Sequence, residues 1–96
     1  MRFWFENGQL SGEGLGIAGV KEGLWTYYDK SGVMTQRGSY RLAVREGKWS
    51  FWDREGRLRE EGIYEAGLRV GEWKFWDPAG SLKVKVVGEV RPIREE

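Results

Sequence analysis

Much familiar enzyme chemistry is excluded in this chain, because the sequence contains no histidine and no cysteine, and its carboxylates are the first residues to weigh. That composition removes the commonest general base and metal ligand, thiolate zinc sites and any disulfide framework. The acids themselves do not pair. Glu60 and Glu61 are neighbours, and in an extended chain neighbours face opposite ways, whereas two acids that cleave a glycoside must face each other about 5 or 7–9 Å apart. Asp29, Asp53 and Asp77 recur every 24 residues, each followed three positions later by Gly32, Gly56 or Gly80. A repeated acid beside a repeated glycine is turn chemistry: the carboxylate accepts a backbone N–H two residues on, and the glycine takes the positive φ that closes the turn. Gly14, Leu15, Gly16, Ile17, Ala18 and Gly19 spell G-x-G-x-x-G. A dinucleotide-binding loop of that spelling needs a helix after it and a ribose-binding acid about twenty residues on, and the residues that follow read as another strand. The expectation is a protein that is not an enzyme, with no cofactor and no metal.

The aromatic residues carry more information. Trp25, Trp49 and Trp73 stand 24 residues apart, as do Tyr28, Trp52 and Trp76. Side chains alternate across a strand, so the two series lie on opposite faces, Trp49 and Phe51 on one and Trp52 on the other. The first series is expected to pack, since a thin sheet without helices must draw its burial from large side chains. The second, flanked by Arg57, Arg59 and Lys74, is the candidate partner-binding surface; a second packed layer or a homo-oligomer contact is the alternative. Aromatics interleaved with arginine could also stack single-stranded bases. Sixteen basic residues against fifteen acidic ones leave a net charge of +1, which disfavours nucleic acid unless charge is segregated on one face. Arg37, Arg41, Arg45 and Arg69 are accompanied by Glu46, Glu61, Glu65 and Glu72, a pattern expected of a solvated face with cross-strand pairs.

The elements that position these residues follow from the repeat. Gly47 to Trp52 reads as a strand of about six residues closed by the tight turn Asp53–Gly56, and the chain returns through Leu58 to Tyr64. A second turn is expected over Glu65, Ala66, Gly67, Leu68, Arg69 and Val70. Gly23, Gly47 and Gly71, Gly38 and Gly62, Tyr40 and Tyr64, and the apolar series Leu10, Met34, Leu58 and Leu82 keep the same 24-residue step. Fifteen glycines and no capped 3.6-residue periodicity argue against any substantial helix. The fold class is all-β, an elongated antiparallel meander of about eight strands. One domain over residues 1–90 holds a partial repeat, 1–22, and repeats 23–46, 47–70 and 71–90; residues 91–96 form a charged C-terminal tail. Edge strands are expected near Arg2 to Phe5 and Leu82 to Val87, the second guarded by Lys83 and Lys85. No apolar run long enough to span a membrane and no signal peptide is read, so the expected location is the cytoplasm.

The unit G-x-W-x-aromatic-aromatic-D-x-x-G-x-apolar, followed by G-x-Y and a glycine turn, resembles the MORN-repeat variant of bacterial YwqK-type, antitoxin-like proteins. The resemblance covers roughly residues 1–85 and is fullest at Gly47 to Gly71, with Trp49, Phe51, Trp52, Asp53, Gly56, Leu58, Gly62, Tyr64 and Gly67 in place. Ala43 replaces a turn glycine, Gly16 falls where the tyrosine belongs, Met1 stands where tryptophan would, and Val86 and Gly88 break the pattern; terminal repeats are often atypical. The resemblance implies stacked hairpins, a binding or scaffolding role and no catalytic residue. The expectation is an interaction module for a protein partner. A self-associating structural protein, through faces or edges, and a carbohydrate or lipid-headgroup binder at a membrane surface stand as alternatives.

Overall fold

Two kinds of turn alternate along the chain and set the strand lengths. The computed structural model describes residues 1–87 as β1 (Arg2–Trp4), β2 (Leu10–Ile17), β3 (Val20–Tyr28), β4 (Met34–Arg41), β5 (Val44–Trp52), β6 (Leu58–Glu65), β7 (Leu68–Trp76) and β8 (Leu82–Val87). All eight pair antiparallel with their sequence neighbours in one sheet, in the order β1 to β8. The expected meander is observed, with no helix among the described residues. The tail, 91–96, and the end of the proposed domain, 88–90, lie outside them. The sheet is a single layer, 54 × 41 × 16 Å, with β1 and β8 as its edges.

The first kind of turn is the aspartate turn. Asp53 Oδ1 accepts from the backbone N–H of Glu55 and of Arg57, at 2.9 and 3.0 Å, while Gly56, at φ +82°, donates to the Asp53 carbonyl. Asp29 and Asp77 repeat this arrangement. In the first hairpin Asn7 supplies the side-chain acceptor, to Gln9 N–H at 2.9 Å. The second kind is shorter than expected. Only Ala66 and Gly67 lie between Glu65 and Leu68, which are themselves paired, so Leu68, Arg69 and Val70 belong to β7 and not to a loop. Both turn residues have positive φ, +51° and +83°, as do Leu42 and Ala43 at +50° and +67°; these are the left-handed angles that match a two-residue hairpin to the strand twist. Strands therefore run nine residues where about six were expected. The motif Gly14–Gly19 is the end of β2 and the Ala18–Gly19 turn of this kind, and no helix follows to hold a phosphate.

What makes so thin a sheet stable is a repeated lock between strands. Trp25, Trp49 and Trp73 have no exposed surface. Each indole lies over a glycine of the preceding strand: Trp25 over Gly14, Trp49 over Gly38 and Trp73 over Gly62, where a Cβ would fall inside the ring. At that place the register slips, because Gly23–Leu24, Gly47–Lys48 and Gly71–Glu72 are extra residues without partners on the preceding strand, and the glycine that begins each slip has positive φ. The indole N–H then donates to the carbonyl just after the covered glycine: Leu15 at 2.8 Å, Ser39 at 2.9 Å and Ile63 at 3.1 Å. A buried indole donor is thereby satisfied. Tyr40 stands edge-on between Trp25 and Trp49, and Tyr64 between Trp49 and Trp73, with ring centroids 5.2–6.2 Å apart.

Turn tips add a second tie between repeats. The N–H groups of Leu42 and Ala43 donate to the Glu22 carboxylate and the Lys21 carbonyl, and those of Ala66 and Gly67 to the Glu46 carboxylate and the Arg45 carbonyl.

Three outcomes follow from this packing. Gly38→Ala places a methyl in the Trp49 ring and is expected to cost about 1–3 kcal/mol or more, read as a lowered denaturation midpoint; an unchanged midpoint would refute the lock. Ala43→Gly relieves a left-handed alanine whose N–H is already bonded and is expected to add roughly 0.5–1 kcal/mol by the same measurement. Backbone N–H donors, Val33 for Asp29 and Arg57 for Asp53, hold both carboxyls below the ordinary 3.8. With folded values depressed, their contribution is complete above the unfolded value and is lost as pH falls through the folded ones. Stability should therefore drop below about pH 4, and more shallowly in Asp29→Asn/Asp53→Asn, whose amide oxygens still accept.

Candidate binding surface

Alternation from the paired registers divides the sheet into two unlike faces. The tryptophan face carries Trp25, Trp49 and Trp73 with Phe3, Tyr27, Phe51 and Phe75 beside them, and it is closed by the protein itself. Lys21, Arg45 and Arg69, again 24 residues apart, lie over the rings: the Lys21 ammonium 5.0 Å from the Trp25 centroid, and the guanidinium groups 4.5 Å from Trp49 and 4.2 Å from Trp73. Each indole is thus held between a glycine backbone and a cation, a contact worth about 0.5–2 kcal/mol. This corrects the expectation that Arg45 and Arg69 belong to a solvated, charge-alternating face. The signal was present in the sequence, because both cations keep the repeat step, but Lys21 in the same place obscured it.

The opposite, open face holds Tyr28, Trp52 and Trp76. Each stands across from an aliphatic residue of its own hairpin: Tyr28 from Met34, Trp52 from Leu58, Trp76 from Leu82, and at the start of the chain Trp4 from Leu10. These pairs leave Tyr28, Trp52 and Trp76 half-buried. Around them the open face displays Trp4, 59% exposed and one repeat step before Tyr28, and three apolar side chains that the repeat did not single out, Leu24, Ile63 and Val84. Of the described strand residues that expose large apolar surface, only Phe3 lies on the tryptophan face; the rest alternate onto the open one. Two shallow grooves meet at Leu24. One is bounded by Trp4, Leu15 and Thr26, and the other, of about 480 Å³, by Arg37, Ser39, Lys48, Trp52 and Glu61.

Charges on the open face alternate in sign along one row across the strands: Arg2, Glu13, Thr26, Arg37, Ser50, Glu61, Lys74. Arg2–Glu13 and Lys48–Glu61 are ion pairs at 3.2 Å, and Ser50 Oγ donates to Glu61 at 3.3 Å. Of the three basic residues expected to flank the aromatic series, Lys74 lies in this row, exposed. Arg57 and Arg59 flank Trp76 from the turn side, both 3.7 Å from the Asp53 carboxylate, with Arg59 also donating to the Trp76 carbonyl. They brace the aspartate turns at the rim, where Asp53, Leu58 and Trp76 line a small groove with Asp77 and Gly80.

The repeat has a recognised counterpart. Among curated proteins none matches this chain significantly. The sequence profile of the MORN repeat variant matches residues 21–41, 45–66 and 69–87. Each match opens on the cation that covers an indole and spans one aspartate-turn hairpin, β3–β4, β5–β6 or β7–β8. Repeats of this kind are generally protein- or membrane-binding modules, which fits a non-catalytic role. With three successive hairpins matched over most of its length, this chain belongs to the MORN repeat variant family.

Proposed function

We propose that this protein is a non-catalytic interaction module that engages a protein partner through its open face, with Trp52, Trp76 and Tyr28 as anchors and Leu24, Ile63 and Val84 as their surround. The observation that carries this reading is the inequality of the faces. One buries its tryptophans beneath its own cations, while nearly all the exposed apolar surface of the strands collects on the other. Aromatic side chains held half-buried by an aliphatic partner are rigid, and ordering them on binding costs little entropy, which is why tryptophan and tyrosine dominate interface hot spots. A slab face 54 by 41 Å offers more than the roughly 800 Å² that each partner of a stable complex buries. Mixed charges along the Arg37–Glu61–Lys74 row would fix orientation more than strength. An antitoxin-like or scaffolding role in the cytoplasm is the proposed form of this activity, as the resemblance to YwqK-type proteins implies.

A second reading, self-association, rests on β8. This edge strand exposes Leu82, Val84 and Val86 on the open face, beside backbone groups that a further strand could pair.

The test is capture of partners from host lysate by tagged protein, beside the Trp52→Ala/Trp76→Ala variant. Near-ultraviolet circular dichroism would verify that Trp25, Trp49 and Trp73 remain packed in the variant. One specific protein, retained by the parent and lost or weakened at least about 30-fold in the variant, is expected. Equal capture by both would sink the reading, and recovery of only the chain itself, with a dimer mass in solution, would favour self-association.

A further inference from the structure

The overall charge of +1 hides an uneven distribution. On the tryptophan face the strands carry Lys21, Arg45, Arg69, Lys83 and Lys85 against a single carboxylate, Glu60. A polar ribbon joins these groups across the sheet. Lys21 Nζ donates to the Tyr27 hydroxyl at 2.8 Å, and the hydroxyls of Tyr27 and Tyr40 bond at 2.8 Å. Arg45 donates to Gln36 Oε1 at 2.9 Å and to the Tyr64 hydroxyl at 3.1 Å, and Arg69 reaches the same hydroxyl at 3.4 Å. Glu60 neutralises Arg69 at 3.0 Å. One repeat earlier the same position is Gln36, so Arg45 has a neutral amide where Arg69 has a carboxylate, and among the described residues it makes no ion pair. A guanidinium has five N–H donors, of which Arg45 commits two.

We propose that this face binds an acidic polypeptide segment laid across the strands, with its carboxylates against Arg45, Lys21 and Arg69 and, at the β8 edge, Lys83 and Lys85. This surface is distinct from the open face and does not depend on the role assigned there. Three features select the occupant. The excess of positive charge calls for an anion, and planar guanidinium forks suit carboxylates. The cations recur on every second strand, about 9.6 Å apart, which matches every third residue of a polyproline II chain, whose three residues per turn at roughly 3.1 Å each also bring those residues to one side. Single-stranded nucleic acid fits less well, because it needs free aromatic faces for base stacking. Here the indoles have none, being closed between glycine and cation.

A labelled peptide of about 12 residues with glutamate at every third position, titrated at roughly 50 mM and 500 mM salt, tests the proposal by anisotropy. Saturable, salt-sensitive binding is expected. Gln36→Glu gives Arg45 the partner that Arg69 already has, with no change of packing volume, and should weaken binding about tenfold. Lys83→Gln/Lys85→Gln, which touches no indole lock beneath Arg45, should weaken it several-fold. Trp52→Ala/Trp76→Ala, on the open face, should leave it unchanged. Absence of saturable binding would overturn the proposal, as would equal affinity in Gln36→Glu. Tighter binding to a thymidine oligonucleotide of similar length, or to phosphatidylserine vesicles, would assign the face to those ligands instead.

Discussion

Everything in this fold depends on an indole lying flat on a glycine. A one-layer sheet 16 Å thick has no second layer to bury its aromatic residues, yet Trp25, Trp49 and Trp73 are fully enclosed. Their lower surface is the backbone of Gly14, Gly38 or Gly62, which any side chain would obstruct. Their edges meet Tyr40 and Tyr64, and their upper surface meets Lys21, Arg45 or Arg69. The two-residue slip at Gly23, Gly47 and Gly71 moves each tryptophan to where its N–H finds a carbonyl of the neighbouring strand. Glycine, slip, indole and cation recur together because they pack on one another.

The lock also explains why no hairpin stands alone. The glycine belongs to one hairpin and the indole to the next, and the turn tips at Leu42–Ala43 and Ala66–Gly67 lean on Glu22 and Glu46 of the preceding repeat. Stability is therefore carried between neighbours, as in other quasi-one-dimensional repeat proteins. The ends show where the pattern stops. Met1 stands in the tryptophan position and its side chain occupies the space over Gly16, where a tyrosine would stand in a complete repeat. In β8, Lys85 lies across from Trp73, in the place that Gly38 and Gly62 hold across from Trp25 and Trp49, so that place offers no bare backbone for an indole to rest on.

Enclosing one face leaves the other to carry the exposed apolar surface. With a single layer, burial on the tryptophan side uses the aromatic residues twice, as packing and as the bed for cations. Lys21, Arg45 and Arg69 are held there by the rings, while Glu13, Glu22, Glu46 and Glu61 point to the open side. A nearly neutral chain thus acquires one cationic face and one mixed, apolar face.

Much of this was legible in the residues. The 24-residue step, the strand–turn rhythm, the aspartate turns and the opposition of Trp49 to Trp52 depend on local geometry and on side-chain alternation, which the order of residues dictates directly. Strand lengths were misjudged because Gly47 and Gly71 look like strand ends, whereas they are slips inside nine-residue strands. The roles of Gly38 and Gly62, the stacking of Arg45 on Trp49 and the return of Arg57 and Arg59 to Asp53 were not legible. Each requires knowing which residue of one strand lies over which residue of the next. The sequence by itself determined that aromatics would line both faces of a meander. Only the tertiary structure decided which face closes, because that choice rests on cross-strand register, which places a bare backbone beneath one series of rings and an aliphatic side chain opposite the other.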